Sequence, residues 1–107
     1  MQIHWVGADA FGAAQREEVE ARIRALTEGR SDVIDVRITA RASAHHRHGG
    51  KEVRITCEAR GRQIVSARTR ADAGLALNEA MDVFEHELKR LRERRLDARD
   101  EREHRAY

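Results

Sequence analysis

Proline is absent from this chain of 107 residues, cysteine occurs once, and aromatic residues make up only 4% of it. With no proline and no linker-like stretch, nothing divides the chain, and its length suits one domain with one core. The lone Cys57 excludes an internal disulfide and any multi-cysteine metal site. It alternates in phase with Val53, Ile55 and Ala59, as a buried thiol does. No apolar run approaches the roughly 18 residues of a membrane span, so no membrane role is expected. No basic-then-apolar leader opens the chain, and a cytoplasmic location is the expectation.

The chemistry of cofactors and catalysis is missing as well. Gly7, Gly12 and Gly29 are too scattered to cradle a phosphate, and Gly49-Gly50 suits a hairpin turn. No serine, histidine and carboxylate spacing recommends nucleophilic catalysis. Glu79, Glu85 and Glu87 stand beside lysine and arginine on a helical stretch and read as ion-pair partners. Three histidines within four residues, His45, His46 and His48, do not easily converge on one ion, and no carboxylate or cysteine adjoins them. The expectation is a protein that is no enzyme, with no cofactor, no metal and no small-molecule substrate.

What the chain has is arginine. Of 21 Lys and Arg, 19 are arginine, against 19 Asp and Glu, for a formal net charge of +2. The overall balance is weak, but the distribution is not: Arg41 to Arg70 holds eight basic residues and two acidic ones. Arginine suits bidentate phosphate contacts and stacking.

Hydrophobic periodicity orders the chain as β-α-β-β-β-α. Ile3 and Trp5 share one face of a first strand, with His4 and Val6 on the other. Phe11, Ala14 or Gln15, Val19, Ile23 and Leu26 recur at helical spacing, predicting a helix from about Ala10 to Leu26. Ile34, Val36, Ile38, Ala40 and Ala42 alternate with polar residues in a strand over Val33 to Ala42. After a polar hairpin, Val53, Ile55, Cys57 and Ala59 alternate in a third strand that starts at Lys51. Gly61-Arg62 turns into a fourth strand, Gln63 to about Arg70. Burying Arg68 and Arg70 would be costly, so Val65, Ala67 and Thr69 are assigned to the core there and Ile64 and Ser66 to water. Asp72 caps a second helix whose stripe is Leu77, Ala80, Met81, Phe84, Leu88 and Leu91, ending at Arg94 or Arg95. Residues 1–95 thus form an α+β domain, a four-stranded sheet with two helices packed on one face. Residues 96–107 form a charged tail.

One sheet face is left open, and the candidate RNA-binding residues gather around it. Arg54, Arg60, Arg68 and Arg70 are placed together on that face by the chosen phase, with Arg37 and Arg41 extending the field. His45, His46, Arg47 and His48 with Lys51 supply a mobile cationic patch, since imidazoles gain protons near a polyanion. Lys89, Arg90 and Arg92, with Arg94 and Arg95, exceed what helix C-terminal charge alignment needs. Arg16 and Arg22 on the first helix add a positive rim. Like charges on neighbouring strands repel, a cost that an anionic partner reverses. Trp5, Phe11 and Phe84 are claimed by the core, so few aromatics remain for stacking unpaired bases. That favours structured RNA, held by salt-dependent phosphate contacts.

Several stretches, in order, resemble the ribosome hibernation-promoting factor family, also called ribosome-associated inhibitor or sigma-54 modulation proteins. They are Met1-Gln2-Ile3, then Arg16, Val19, Arg22, Ile23 and Leu26, then Lys51-Glu52-Val53-Arg54-Ile55. The His45-to-His48 loop and Asp72, Ala76, Leu77, Asn78, Glu79 into Leu88 and Leu91 complete the set. The resemblance implies binding to the small ribosomal subunit and its 16S rRNA, near the mRNA and tRNA channel, with suppression of translation in stress or stationary phase. It implies a short member, monomeric when free. Family members usually carry tyrosine where Gly74 stands, basic residues near Val83 and His86, and smaller residues at Arg68 and Arg70. The competing expectations are a structured or double-stranded RNA-binding module acting off the ribosome, and a diverged paralogue serving as a protein-interaction module. The double-stranded RNA-binding domain begins with a helix, whereas this chain begins with a strand.

Overall fold

The structure, a computed structural model, describes residues 1–43 and 50–105, with side chains described as far as residue 91. His45, His46, Arg47 and His48 therefore lie outside the described residues, as does the side chain of Arg92. The elements are β1 (Gln2–Val6), a 3-10 turn (Ala8–Ala10), α1 (Ala13–Thr27), β2 (Val33–Ala42), β3 (Lys51–Ala59), β4 (Arg62–Arg70) and α2 (Ala73–Arg105). The sheet order is β1-β2-β3-β4, with β1 parallel to β2 and the other pairs antiparallel. Both helices lie over one face, as the periodicity required.

The core follows from the two periods. On α2, Leu77, Ala80, Met81, Phe84 and Leu88 are at most 1% exposed, which is the stripe that spacing of three and four produces. They share one buried cluster with Val36, Ile38, Val53, Ile55, Cys57 and Ile64 of the sheet and with Val19 and Ile23 of α1. Trp5 reaches in from β1, its indole Nε1 donating to Glu20 Oε1 at 2.8 Å and its ring edge-on to Phe11 at 5.7 Å. Asp72 caps α2, its Oδ1 accepting the Gly74 amide at 3.2 Å.

Three expectations are corrected. Phe11 is not on the first helix: the chain is extended at Phe11 and Gly12, α1 starts at Ala13, and Phe11 is buried from the connection. Of the two residues that the stripe allowed at this turn, Ala14 or Gln15, it is Gln15 that lies inward, its Nε2 donating to the Gly74 carbonyl at 2.9 Å. Ile34 is 53% exposed and Val33 is buried, because an irregularity between Val33 and Asp35 shifts the alternation by one residue. The helix expected to stop near residue 95 continues through Arg105.

The largest correction concerns β4. Register sets Ile64 opposite Cys57 and Ser66 opposite Ile55, so these two face the helices while Val65 is 47% exposed. Ser66 is 2% exposed, and its hydroxyl donates to the Ala80 carbonyl at 2.8 Å, which satisfies the buried oxygen. Arg68 and Arg70 share that phase without being buried. They sit at the strand's end, where both are exposed, and Arg70 Nε meets Glu79 Oε2 at 2.8 Å. Sharing a phase with the core did not mean entering it.

Candidate nucleic-acid interface

The uncovered face can be read row by row from the register. Gln2, Asp35, Glu58 and Gln63 form the first row; His4, Arg37, Thr56 and Val65 the second. Val6, Thr39, Arg54 and Ala67 follow, and Arg41, Glu52 and Thr69 complete the face next to the β2–β3 hairpin. Arg37, Arg41 and Arg54 are thus matched in number by Asp35, Glu52 and Glu58, and the face is not the uniformly cationic surface expected of it. Arg68 and Arg70, expected beside Arg54, project from the opposite side of the sheet, for the register reason given above.

Charge is instead polarised along the strands. Asp35 and Glu58 stand directly opposite one another at one end, where Asp35 also meets His4 Nε2 at 3.5 Å. At the hairpin end Arg41 and Arg54 occupy the open side, and Lys51, Arg68 and Arg70 the helix side. Lys51 lies directly across from Arg70, and all five are exposed. Cations therefore wrap the rim of the sheet at that end. Carboxylates temper them: Arg41 Nη2 lies 3.0 Å and Arg54 Nη2 3.6 Å from Glu52 Oε1. The side chain of Arg37, mid-face and exposed, makes no hydrogen bond or ion pair among the described residues. Arg60 follows β3 at the other end, its amide donating to the Asp32 carbonyl at 2.8 Å.

The helical candidates divide differently. Arg22 bonds Asp82, at 3.0 Å, and Glu85 of α2, so it ties the helices together rather than lining a rim. Its hydrogen bond, then that of Lys89, holds the Glu85 carboxyl below the usual carboxylate range. Arg16 is half-buried, and its Nε is buried without a hydrogen-bond partner among the described residues. Lys89 pairs with Glu85 at 3.1 Å and Arg90 with Glu87 at 3.6 Å, one turn along α2. The reading of Glu79, Glu85 and Glu87 as ion-pair partners holds. Sequence spacing within α2 shows the Lys89 and Arg90 pairs; the Arg22 bridge joins residues about 60 apart and has no local signature.

Cys57 is fully buried and unpaired, and burial pushes its thiol up to about 11. Thiolate is the reactive form. Folded protein at pH 8 is expected to resist Ellman's reagent, while urea-unfolded protein reacts at once. Rapid labelling of the folded protein would show that the core at Cys57 opens.

A four-stranded sheet with both helices on one side and a charge-graded surface on the other defines a small α+β protein. Residues 2–96 match the family described as Sigma 54 modulation protein / S30EA ribosomal protein, and the chain belongs to that family. Solved structures share the fold, two of them as follows. A ribosomal subunit interface protein from Coxiella burnetii superposes with a TM-score of 0.64 at 19% identity, covering 86% of this chain and 98% of its own. The Protein Y N-terminal domain of Thermus thermophilus gives 0.58 at 17% identity, covering 84% and 94% respectively. None of the curated proteins matches the chain. No helix among the described residues is long and apolar enough to cross a membrane.

Proposed function

We propose that the protein binds the small ribosomal subunit near the mRNA and tRNA channel, holds 16S rRNA through phosphate contacts, and suppresses translation under stress. It acts without catalysis, in the cytoplasm, as a monomer when free. The observation that carries this reading is the cationic rim at the β2–β3 end, Arg41, Lys51, Arg54, Arg68 and Arg70, on a chain of a ribosomal family. The description of the Coxiella neighbour as a subunit interface protein supports it. Guanidinium groups on both sides of a sheet edge can straddle a phosphate backbone, which a flat field could not do.

Sedimentation of lysate from starved cells tests it. Wild-type protein should travel with the small subunit and leave it as salt rises, since phosphate contacts release counterions. Replacing Arg41, Arg54, Arg68 and Arg70 together by Ala should return the protein to the top of the gradient with its circular dichroism unchanged. Wild-type protein found at the top even at low salt would overturn the ribosomal assignment. A wild-type protein that binds free structured RNA but not ribosomes would move the function off the ribosome.

A further inference from the structure

Glu52 lies where an anion would be expected to bind. It projects from β3 onto the open face, directly opposite Arg41 of β2 and two residues before Arg54 on its own strand. Both guanidinium groups converge on the same carboxylate oxygen: Arg41 brings Nη2 to 3.0 Å and Nε to 3.2 Å, and Arg54 brings Nη2 to 3.6 Å. The carboxylate side chain is 22% exposed, against 64% for Arg41 and 49% for Arg54, so the cations cover it and keep their outer N–H groups in water. Two convergent guanidiniums are the arrangement that receives a phosphate oxygen. Here a side chain of the protein already occupies it.

We propose that Glu52 is an internal counterion that competes with phosphate for the site formed by Arg41 and Arg54. This rests on the RNA-phosphate reading above and adds a residue that sets its strength. In the free protein Glu52 relieves the repulsion between the two arginines on neighbouring strands. Exposed ion pairs of this kind are weak, so an arriving phosphate exchanges with the carboxylate, which rotates into water. Halving the local charge in the free state disfavours isolated small anions. It leaves binding to a polyanion that also engages Lys51, Arg68 and Arg70 on the other side of the rim.

The test is fluorescence anisotropy with a labelled RNA hairpin, comparing wild type, Glu52→Gln and Glu18→Gln over about 50–200 mM KCl. Glu18 is exposed on α1, away from the open face, and controls for net charge alone. Glu52→Gln should bind several-fold tighter at low salt. Its plot of log affinity against log salt should steepen by about 0.9, the signature of one more phosphate neutralised. Glu18→Gln should match the wild type in both. Equal gains in the two variants would reduce the effect to net charge and overturn the proposal. Unchanged or weaker binding by Glu52→Gln would overturn it too, making Glu52 a residue that orders the arginines. If wild type and Glu52→Gln bind the hairpin alike, the counterion role falls while the functional reading stands. If neither binds at low salt, both fall.

Discussion

Phe84→Ala is expected to cost about 3–5 kcal/mol, the range for removing a fully buried aromatic side chain. Phe84 is 0% exposed and belongs to the α2 stripe that closes over β3 and β4. The loss has two parts: the transfer free energy of the ring, and the hole it leaves. Neighbours can collapse only partly into that hole, because Leu77, Met81 and Leu88 are fixed by the same helix and Ile55 by a central strand. A domain of this size has roughly 5–15 kcal/mol in total, so the variant should be marginally folded at 25 °C. Urea unfolding followed by circular dichroism measures it. A cost below about 1 kcal/mol would mean that the space beneath α2 is not packed as described.

Gly7→Ala should destabilise by a comparable amount, for a backbone reason. Gly7 has φ +77, which costs a residue with a Cβ roughly 1–2 kcal/mol. The added Cβ would also stand 2.4 Å from the carbonyl oxygen of Ala40, and that carbonyl belongs to β2. Neither atom can yield without moving the chain reversal after β1 or disturbing a central strand. Steric strain of that type adds about 1–3 kcal/mol. Gly61 supplies the internal control: its φ is +82, yet an added Cβ there meets nothing within 4 Å. Gly61→Ala should therefore show the conformational penalty alone, and denaturation midpoints of the two variants separate strain from collision. Equal midpoints would remove the close approach of Gly7 to β2.

Order and class of the elements were legible because burial imposes period two on strands and 3.6 on helices, and this chain obeys both. The misreadings came where a local pattern met a tertiary fact. Ile34 follows the alternation of Val36 and Ile38 in sequence, but a single irregular pairing turns it outward. The cost of burying arginine points β4 the wrong way, because Arg68 and Arg70 stand at the strand's end and escape to water. Nothing in the chain marks Ser66 as an inward residue, since its partner is a backbone carbonyl on another element. Arg22 looked like a free cation because Asp82 and Glu85 lie about 60 residues away. The basic character of residues 41–70 was plain from composition. That its cations would wrap an end of the sheet, instead of covering one side, required the register.

Trp5 is the only tryptophan in the chain, and its ring is turned to the helices while Glu20 anchors its indole N–H. It stands on the outermost strand, of five residues, joined to the sheet along one edge alone. Its emission is therefore a private reporter of whether that border strand stays docked on α1. A ligand settling on the other side of the sheet should leave its colour unchanged, while detachment of the border should shift it to the red well before the central strands come apart.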